Sequence, residues 1–154
     1  MTLKAGAKAP DFTLPRDGGG TLSLSEFKGR KLVLYFYPKA DTEGCTKEAI
    51  AFSGLKAKFA RTGTDIVGVS ADPVKALDRF RDKHGLGIAL ASDETKKMLE
   101  TYGVWGEKSM YGRKYMGTFR TTFLIAPDGR VAKVWENVKV AGHAEDVLAA
   151  AKAL

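Results

Sequence analysis

The stretch YFYPKADTEGCTKEAIAFSGLKAKFA, residues 35–60, decides the fold because it joins an apolar run to a helical pattern. The apolar run ends at Pro38, which cannot donate a hydrogen bond to a neighbouring strand. After a polar loop, Ala49, Phe52 and Phe59 recur at the spacing of one helix face. Cys45, the only cysteine of the chain, lies at the start of this pattern. The stretch therefore predicts a strand that leads to a thiol at a helix N-terminus.

A cysteine in the first turn of a helix has chemical consequences. The unpaired N–H groups and the dipole of that turn favour an anion, and so favour the reactive thiolate. Helix N-termini that follow strands are also where α/β folds place their active sites. On these residues alone, Cys45 can equally be a small buried apolar residue, and Thr42 can be only a helix cap.

The remaining patterns alternate between strands and helices. A turn at residues 17–20 separates two extended pieces, which predicts an N-terminal hairpin. Continuous apolar runs predict buried strands, and a Pro-Asp-Gly turn predicts an antiparallel pair near the C-terminal end. The predicted strands are 31–37, 65–70, 88–91, 121–126 and 131–135, and the predicted helices are 45–62, 72–84, 93–102 and 142–154. Residues 104–117, with three glycines and several aromatic residues, are predicted to be a loop. The order predicts an α/β fold with a mixed central sheet flanked by helices.

Length and composition indicate a globular protein. The 154 residues, 44% hydrophobic and 28% charged, predict one domain, residues 1–154, with a substantial core. No apolar run is long enough to span a bilayer, and residues 1–10 lack the apolar region of a signal peptide, so we expect a cytoplasmic protein. One cysteine excludes an internal disulfide. The two histidines, His84 and His143, offer no metal-ligand spacing, so neither a metal nor a cofactor is expected.

The net charge of +7 raises the question of an anionic partner. The basic residues are scattered, with clusters at 28–31 and at 108–120, where aromatic residues lie between them. We favour a solvated basic surface over a nucleic-acid face. Neither nucleic acid nor a membrane is therefore an expected partner.

Residues 38–45, PKADTEGC, match the Pro-x-x-x-Thr-x-x-Cys active-site motif of the peroxiredoxins. The segments FYPK (36–39), GCTKEA (44–49), YGVWGEK (102–108) and RTTFLI (120–125) resemble the bacterioferritin comigratory protein (PrxQ) branch of that family. The likeness covers nearly the whole chain in order. It implies a thioredoxin-like fold, which agrees with the predicted order of elements.

The resemblance implies roles for five residues. Cys45 resembles the peroxidatic cysteine, whose thiolate attacks a peroxide oxygen and becomes a sulfenic acid. Thr42 would hydrogen-bond the thiolate and the peroxide, and Arg120 would favour the thiolate and stabilise charge on the leaving oxygen. Pro38 would shield the pocket, and N–H groups around Gly44 would complete the peroxide site. The simpler interpretations are a helix cap for Thr42, a strand terminator for Pro38 and a solvated base for Arg120.

Two positions depart from the pattern of the branch. Ile50, which we interpret as native, stands where a resolving cysteine often lies, and residues 73–84 also lack a cysteine. The resemblance is therefore to a 1-Cys member, whose sulfenic acid is reduced by an external thiol: thioredoxin, glutaredoxin or a small thiol. Glu43 stands where proline is common. We expect its carboxylate to point to solvent and to favour the helix N-terminus.

The predicted function is that of a thiol-dependent peroxidase, acting on hydrogen peroxide and organic hydroperoxides in antioxidant defence and cell redox homeostasis. One alternative is a redox sensor or relay that forms mixed disulfides through Cys45. Another is a basic binding module that uses residues 108–120, although such a module does not need Pro38, Thr42 and Arg120 together with the cysteine. A monomer or weak homodimer is expected.

Overall fold

A five-stranded mixed sheet forms the centre of the protein in a computed structural model, which describes residues 2–154. The strands are β1 (Thr13–Pro15), β2 (Thr21–Ser23), β3 (Lys31–Phe36), β4 (Thr64–Ser70), β5 (Ala89–Ser92), β6 (Trp105–Met110), β7 (Arg113–Thr118), β8 (Thr121–Ile125) and β9 (Val131–Trp135). The helices are α1 (Glu43–Gly54), α2 (Lys56–Arg61), α3 (Val74–His84), α4 (Lys97–Thr101) and α5 (His143–Ala153). The order across the central sheet is β5-β4-β3-β8-β9.

Strand β3 is the middle strand of this sheet, as its continuous apolar run predicted. It pairs in parallel with β4 and antiparallel with β8. Its alternate side chains enter two separate cores: Val33 and Tyr35 pack among residues of α1, α2, α3 and α5, whereas Leu34 and Phe36 pack with α4 and the N-terminal segment. Burial on both faces explains why the strand carries no polar alternation.

The end of β3 positions the motif. The N–H of Tyr37 still donates to the carbonyl oxygen of Val69, over 3.1 Å, and the chain then leaves the sheet at Pro38. Since β3 and β4 are parallel, their carboxyl ends lie at the same edge. This edge carries the loop 38–42 and the first turn of α1, which is the arrangement expected of an α/β active site.

The two predicted hairpins, one near the N-terminus and one at residues 121–135, are both confirmed. β1 pairs antiparallel with β2, with Leu14 opposite Leu22. β8 and β9 form the antiparallel edge, joined by a turn in which Gly129 has a φ of 87°. Only glycine adopts this left-handed conformation without strain, so the turn residues fix the geometry of the edge.

Residues 104–117 were predicted as a loop, and this prediction is wrong, since they form most of a third hairpin. β6 and β7 pair along six residues each, from Trp105 opposite Thr118 to Met110 opposite Arg113. The two turn residues have positive φ angles, 52° at Tyr111 and 75° at Gly112, as tight hairpin turns require. Tyrosine is unusual at such a position, which is why the turn was not recognised.

Two predicted helices are shorter than expected. The helix predicted at 45–62 is divided, because Leu55 has a φ of −99° and a ψ of 2° between α1 and α2. Gly54 precedes this break, and glycine disfavours a helix by about 1 kcal/mol relative to alanine. The helix predicted at 93–102 begins only at Lys97, because Lys96 has a φ of 66°. No helix in residues 2–154 combines the length and apolarity needed to cross a membrane.

Candidate active site

The thiol of Cys45 lies in the first turn of α1. The helix begins at Glu43, and the N–H of Thr46 makes an early helical bond to the carbonyl of Thr42, over 2.8 Å. Cys45 is therefore the third helical residue, where backbone N–H groups have no partner within the helix. Its side chain is buried, with 2% of the residue exposed. Burial alone would make it a core residue, so its neighbours decide its chemistry.

Arg120 supplies a positive charge to this thiol. The residue immediately precedes β8, and the pairing of Thr121 with Phe36 places it beside the end of β3. Its Nη2 donates a hydrogen bond to Sγ of Cys45 over 3.3 Å, and only 17% of its side chain is exposed. The contact places the positive charge of the guanidinium directly beside the sulfur atom.

Glu48 holds the other side of the guanidinium, and sequence reasoning did not identify it as a site residue. Nη1 of Arg120 donates to Oε1 of Glu48 over 2.7 Å. Glu48 lies one turn after Cys45 and is 1% exposed, and Oε2 has no hydrogen-bond partner among residues 2–154. Burial raises the pKa of Glu48 to about 7, although Arg120 opposes this shift. The available signal was a glutamate on the same helix face as the apolar residues Ala49 and Phe52.

Gly44 leaves room for Arg120 at the start of the helix. A Cβ atom at this position would lie 3.2 Å from Nη2 of Arg120, closer than ordinary carbon contacts. The backbone at Gly44 is helical, so the conformational freedom of glycine is not needed here. What the residue contributes is the space through which the guanidinium reaches Cys45.

Thr42 and Pro38 lie where the motif predicts, but their contacts differ from the expected ones. Thr42 is at the N-cap position, yet its hydroxyl donates to the carbonyl oxygen of Lys39, over 2.7 Å, and makes no capping bond. The structure shows no hydrogen bond between this hydroxyl and the Cys45 thiol among the residues it describes. Pro38 is half-buried between the end of β3 and the loop. Cys45, Arg120 and Gly44 are thus brought together, with Thr42 and Pro38 at the loop beside them.

Side chains from outside the motif hold this loop. Asp41 has a φ of 61°, an uncommon conformation that aspartate tolerates better than most residues. Its carboxylate contacts Nε2 of His84 and Nζ of Lys83, each over 2.8 Å. These two bonds keep the pKa of Asp41 below its usual value. The N–H of Ala40 donates to Asp72 over 2.8 Å, so the loop is tied both to α3 and to the end of β4.

The second histidine, His143, lies between α5, β8 and α1. Nε2 of His143 is 2.8 Å from the hydroxyl of Thr122, and its ring packs edge-on against Phe52 and Trp135. Burial lowers the pKa of His143. Its neutral ring therefore serves the packing of α5 against the sheet.

Glu43 points to solvent, as expected. Its side chain is 85% exposed and pairs with Lys47 over 3.0 Å, one turn along α1. The carboxylate therefore lies outside the thiol pocket, at the end of the helix that favours negative charge.

Comparison with known proteins places this site in a family. The model of the AhpC/TSA family matches residues 5–134. The putative peroxiredoxin bcp of Coxiella burnetii is 47% identical over 148 residues, covering 96% of this chain and 98% of that protein. Peroxiredoxin Bcp of Bacillus subtilis is 44% identical over 148 residues, covering 96% and 94%. The crystal structure of a Xylella fastidiosa PrxQ mutant covers 99% of this chain and 98% of its own, with a TM-score of 0.94 at 36% identity.

The chain therefore belongs to the AhpC/TSA family. It is a thiol-dependent peroxidase of the peroxiredoxin type, similar over nearly its whole length to Bcp and PrxQ proteins. These relatives confirm the predicted thioredoxin-like fold with its mixed central sheet. They favour the peroxidase over the alternatives of a redox relay and a binding module.

The single cysteine sets this chain apart from one of its structural relatives. Peroxiredoxin Q of Xanthomonas campestris has been solved as serine mutants of two different cysteines, with a TM-score of 0.91 and 42% identity in both cases. This chain has one cysteine. Ile50, five residues after Cys45, is 47% exposed on α1. Cys45 therefore has no second cysteine in the chain with which to form a disulfide.

Proposed function

We propose that Cys45 is the peroxidatic cysteine of a 1-Cys peroxidase that reduces hydrogen peroxide and organic hydroperoxides. The observation that carries the proposal is the 3.3 Å hydrogen bond from Nη2 of Arg120 to Sγ of Cys45, made in the first turn of α1. The helix N-terminus and the guanidinium act in the same direction, since both stabilise a negative charge on sulfur. A merely structural cysteine needs neither.

In the oxidation step, Sγ of Cys45 attacks one oxygen of the peroxide. The S–O bond forms as the O–O bond breaks, and the electron pair leaves on the second oxygen, which takes a proton to become water or an alcohol. Arg120 stabilises the charge that develops on the leaving oxygen, because its guanidinium is already fixed by Glu48. The N–H groups around Gly44 and Cys45 bind the peroxide oxygens.

Thr42 and Pro38 complete the site in this proposal. The Thr42 hydroxyl donates to the carbonyl of Lys39, so its oxygen is oriented to accept a hydrogen bond from the O–H of a bound peroxide. Pro38 has no N–H to attract water, and its half-buried ring would shield the site from solvent. Both roles are those that the family resemblance implies.

In the reduction step, an external thiol attacks Sγ of the sulfenic acid, forming a mixed disulfide and releasing water. A second thiol then attacks the mixed disulfide and frees Cys45 as a thiolate. Thioredoxin, glutaredoxin and small thiols can each supply these two thiols. The dependence on them supports a place of action in the cytoplasm, where thiols are kept reduced, and a role in antioxidant defence. We also propose that residues 1–154 form one domain that acts as a monomer or a weak homodimer.

The proposal is tested by following the mass of the protein through one cycle. One equivalent of hydrogen peroxide should make the protein one oxygen atom heavier, and dimedone, which reacts with sulfenic acids, should label Cys45. The oxidised protein is then treated with thioredoxin and its reductase, and in a separate sample with glutathione and glutaredoxin. Return to the original mass identifies a system that reduces Cys45. If only the second system works, the reductant is assigned and the oxidation step stands. A protein that gains no oxygen and is not labelled contradicts the proposal.

A further inference from the structure

The β6–β7 hairpin presents two chemically different faces. Side chains alternate along each strand, and the register places Lys108 opposite Tyr115 and Met110 opposite Arg113. These four residues share one face, here called the basic face. The opposite face carries Glu107, Ser109, Lys114 and Met116. The only acidic residue of 105–118, Glu107, thus lies on the opposite face, where it is 3.7 Å from Lys114.

The basic face exposes apolar surface beside its two cations. Met110 is 55% exposed, Tyr115 is 42% exposed, and Tyr111 at the hairpin tip is 99% exposed. Most of the large exposed apolar side chains in residues 2–154 belong to this hairpin, the others being Ile50 and Leu154. Exposed apolar side chains grouped with charge of one sign are typical of a surface that binds another protein.

The basic face continues into the active site. Nζ of Lys108 donates to the carbonyl oxygen of Thr118 over 2.9 Å and lies 5.8 Å from the centre of the Phe119 ring. That ring packs closely against Gly106, where an added Cβ atom would lie 2.9 Å from Cε2 of Phe119. Phe119 directly precedes Arg120. Lys108 therefore lies at the end of the basic face that adjoins the segment leading to Arg120.

We propose that the basic face docks the protein thiol that reduces Cys45, a partner whose surface around its reactive cysteine is acidic and apolar. The inference rests on the proposed function, because an external thiol has to approach a cysteine that has no resolving partner. Charge complementarity selects the partner: the face carries Lys108 and Arg113 and no acidic residue. In the docked complex, the partner thiolate forms an S–S bond to the sulfenic sulfur of Cys45 and the S–O bond breaks. The oxygen leaves as hydroxide and takes a proton, such as the one the partner thiol gave up, to become water. The partner's second thiol then attacks the partner's sulfur of the mixed disulfide, and Cys45 leaves as a thiolate while the partner keeps a disulfide.

Other occupants fit the face less well. A second copy of this chain would bring two basic faces together in molecules that each carry a net charge of +7. A small thiol can react with Cys45 without covering the hairpin, which extends about 10 Å from Lys108 to its tip at about 3.3 Å per residue. A protein partner covers both regions at once.

The chain offers two matched pairs of variants. Arg113→Glu and Lys114→Glu make the same charge reversal at adjacent positions on opposite faces. Met110→Ser and Met116→Ser remove side chains that are 55% and 54% exposed, again on opposite faces. All four positions are solvent-exposed, and circular dichroism with thermal melting confirms that each variant is folded.

The oxidation and reduction steps are measured separately for each variant. Oxidation by hydrogen peroxide should stay within about twofold of the wild type for all four, because none contacts Cys45 or Arg120. The oxidised proteins are then mixed with a reduced acidic thioredoxin. Reduction should slow about tenfold for Arg113→Glu and several-fold for Met110→Ser, and stay within about twofold for Lys114→Glu and Met116→Ser. The Arg113→Glu defect should shrink toward 1 M salt, where the Debye length is about 3 Å.

Several results overturn the proposal. If both members of a matched pair slow reduction by thioredoxin equally, the partner does not distinguish the two faces of the hairpin. If a variant also slows reduction by glutathione, its defect lies at Cys45 and not in the docking of a protein. Sedimentation that finds a wild-type dimer dissociated by Arg113→Glu makes the face a contact between copies. Slower oxidation of Met110→Ser by a long-chain hydroperoxide makes it a substrate surface. A wild type that glutathione reduces and thioredoxin does not reduce rejects the docking proposal, yet leaves the peroxidase intact.

Discussion

The guanidinium of Arg120 donates a hydrogen bond to the thiol of Cys45 over 3.3 Å, across 75 positions of sequence. Its second terminal nitrogen donates to Glu48 over 2.7 Å, so the group is fixed from two sides. Because Cys45 and Glu48 lie on one face of α1, this helix both carries the thiol and positions the charge that activates it. Substitutions at Arg120, Gly44 and Glu48 separate these contributions.

Arg120→Ala should lower the second-order rate constant for hydrogen peroxide by about 10²–10³, the usual cost of losing a fixed electrostatic donor. Arg120→Lys should recover little of this, because an ammonium cannot donate to Cys45 and Glu48 in the same fork geometry. Stopped-flow kinetics measures the rate constant, and ultraviolet absorbance measures the thiolate fraction at neutral pH. Arg113→Lys is the control on an exposed arginine. An Arg120→Ala variant as reactive as the wild type contradicts the role assigned to the guanidinium.

Gly44→Ala should separate stability from activity. Alanine favours the helix by about 1 kcal/mol over glycine, but its Cβ would lie 3.2 Å from Nη2 of Arg120 and displace the guanidinium. We expect a free energy of unfolding no lower than that of the wild type and a peroxide rate constant about tenfold lower, since small displacements of catalytic groups are costly.

Gly54→Ala is the matched control for this substitution. It lies in the same helix, and a Cβ there meets nothing within 4 Å. It should stabilise the protein without slowing the reaction. Equal activity of the two alanine variants in stopped-flow assays shows that Gly44 is not needed for the approach of Arg120.

Glu48 should make the stability of the protein depend on pH. Its pKa is about 7 in the folded state, against an ordinary value near 4.3–4.5 in the unfolded chain. Between pH 4.5 and 7, Glu48 binds more protons in the folded state than in the unfolded chain. The free energy of unfolding that Glu48 contributes is therefore full at low pH and is lost as the pH rises toward 7. Glu48→Gln, which cannot ionise, should lack it.

Urea unfolding at pH 5 and pH 8 measures this effect. The difference between wild type and Glu48→Gln isolates Glu48, because all other titrating groups are shared. Glu43→Gln, at a side chain that is 85% exposed, should follow the wild type. Parallel pH profiles for the wild type and Glu48→Gln contradict the shifted pKa.

Ile50→Cys should allow an intramolecular disulfide, but only with loss of helix. Five residues advance about 7.5 Å along a helix axis, beyond the Cα separation of about 7 Å that a disulfide bridges. After one equivalent of peroxide, the variant should be two hydrogen atoms lighter than its reduced form and show less helix by circular dichroism. The wild type should be one oxygen atom heavier. Lys58→Cys, farther along on α2, should keep the sulfenic acid, and an Ile50→Cys variant that does the same contradicts the expectation.

The sequence predicted those parts of the fold that local patterns encode. The unbroken apolar run of β3 is a property of neighbouring residues, and the strand it predicts is confirmed. The spacing of Ala49, Phe52 and Phe59 correctly predicted helical structure, but as one helix, whereas Phe59 lies in α2 beyond the break at Leu55. The β6–β7 hairpin was missed because its turn places Tyr111 at a positive φ, against the preference of the residue, where the pairing of Met110 with Arg113 closes the hairpin.

Local sequence patterns predicted less of the candidate site than of the fold. Arg120 was found only through the family resemblance, since nothing local connects it to Cys45. Glu48 was missed because a glutamate is ordinary in a helix; only the structure shows that it is buried and paired with Arg120. The bond from Thr42 to Lys39 in place of a helix cap is likewise a property of the folded loop.

The most direct test of the account compares the wild type with Cys45→Ser in stopped-flow reactions with excess hydrogen peroxide and no reductant. In the fast phase each wild-type chain should consume one equivalent of peroxide, because no second cysteine regenerates the thiol, and only the slower oxidation of the sulfenic acid to a sulfinic acid should follow. Cys45→Ser should consume peroxide no faster than buffer. Equal peroxide loss by the two proteins contradicts the assignment of Cys45 as the peroxidatic cysteine.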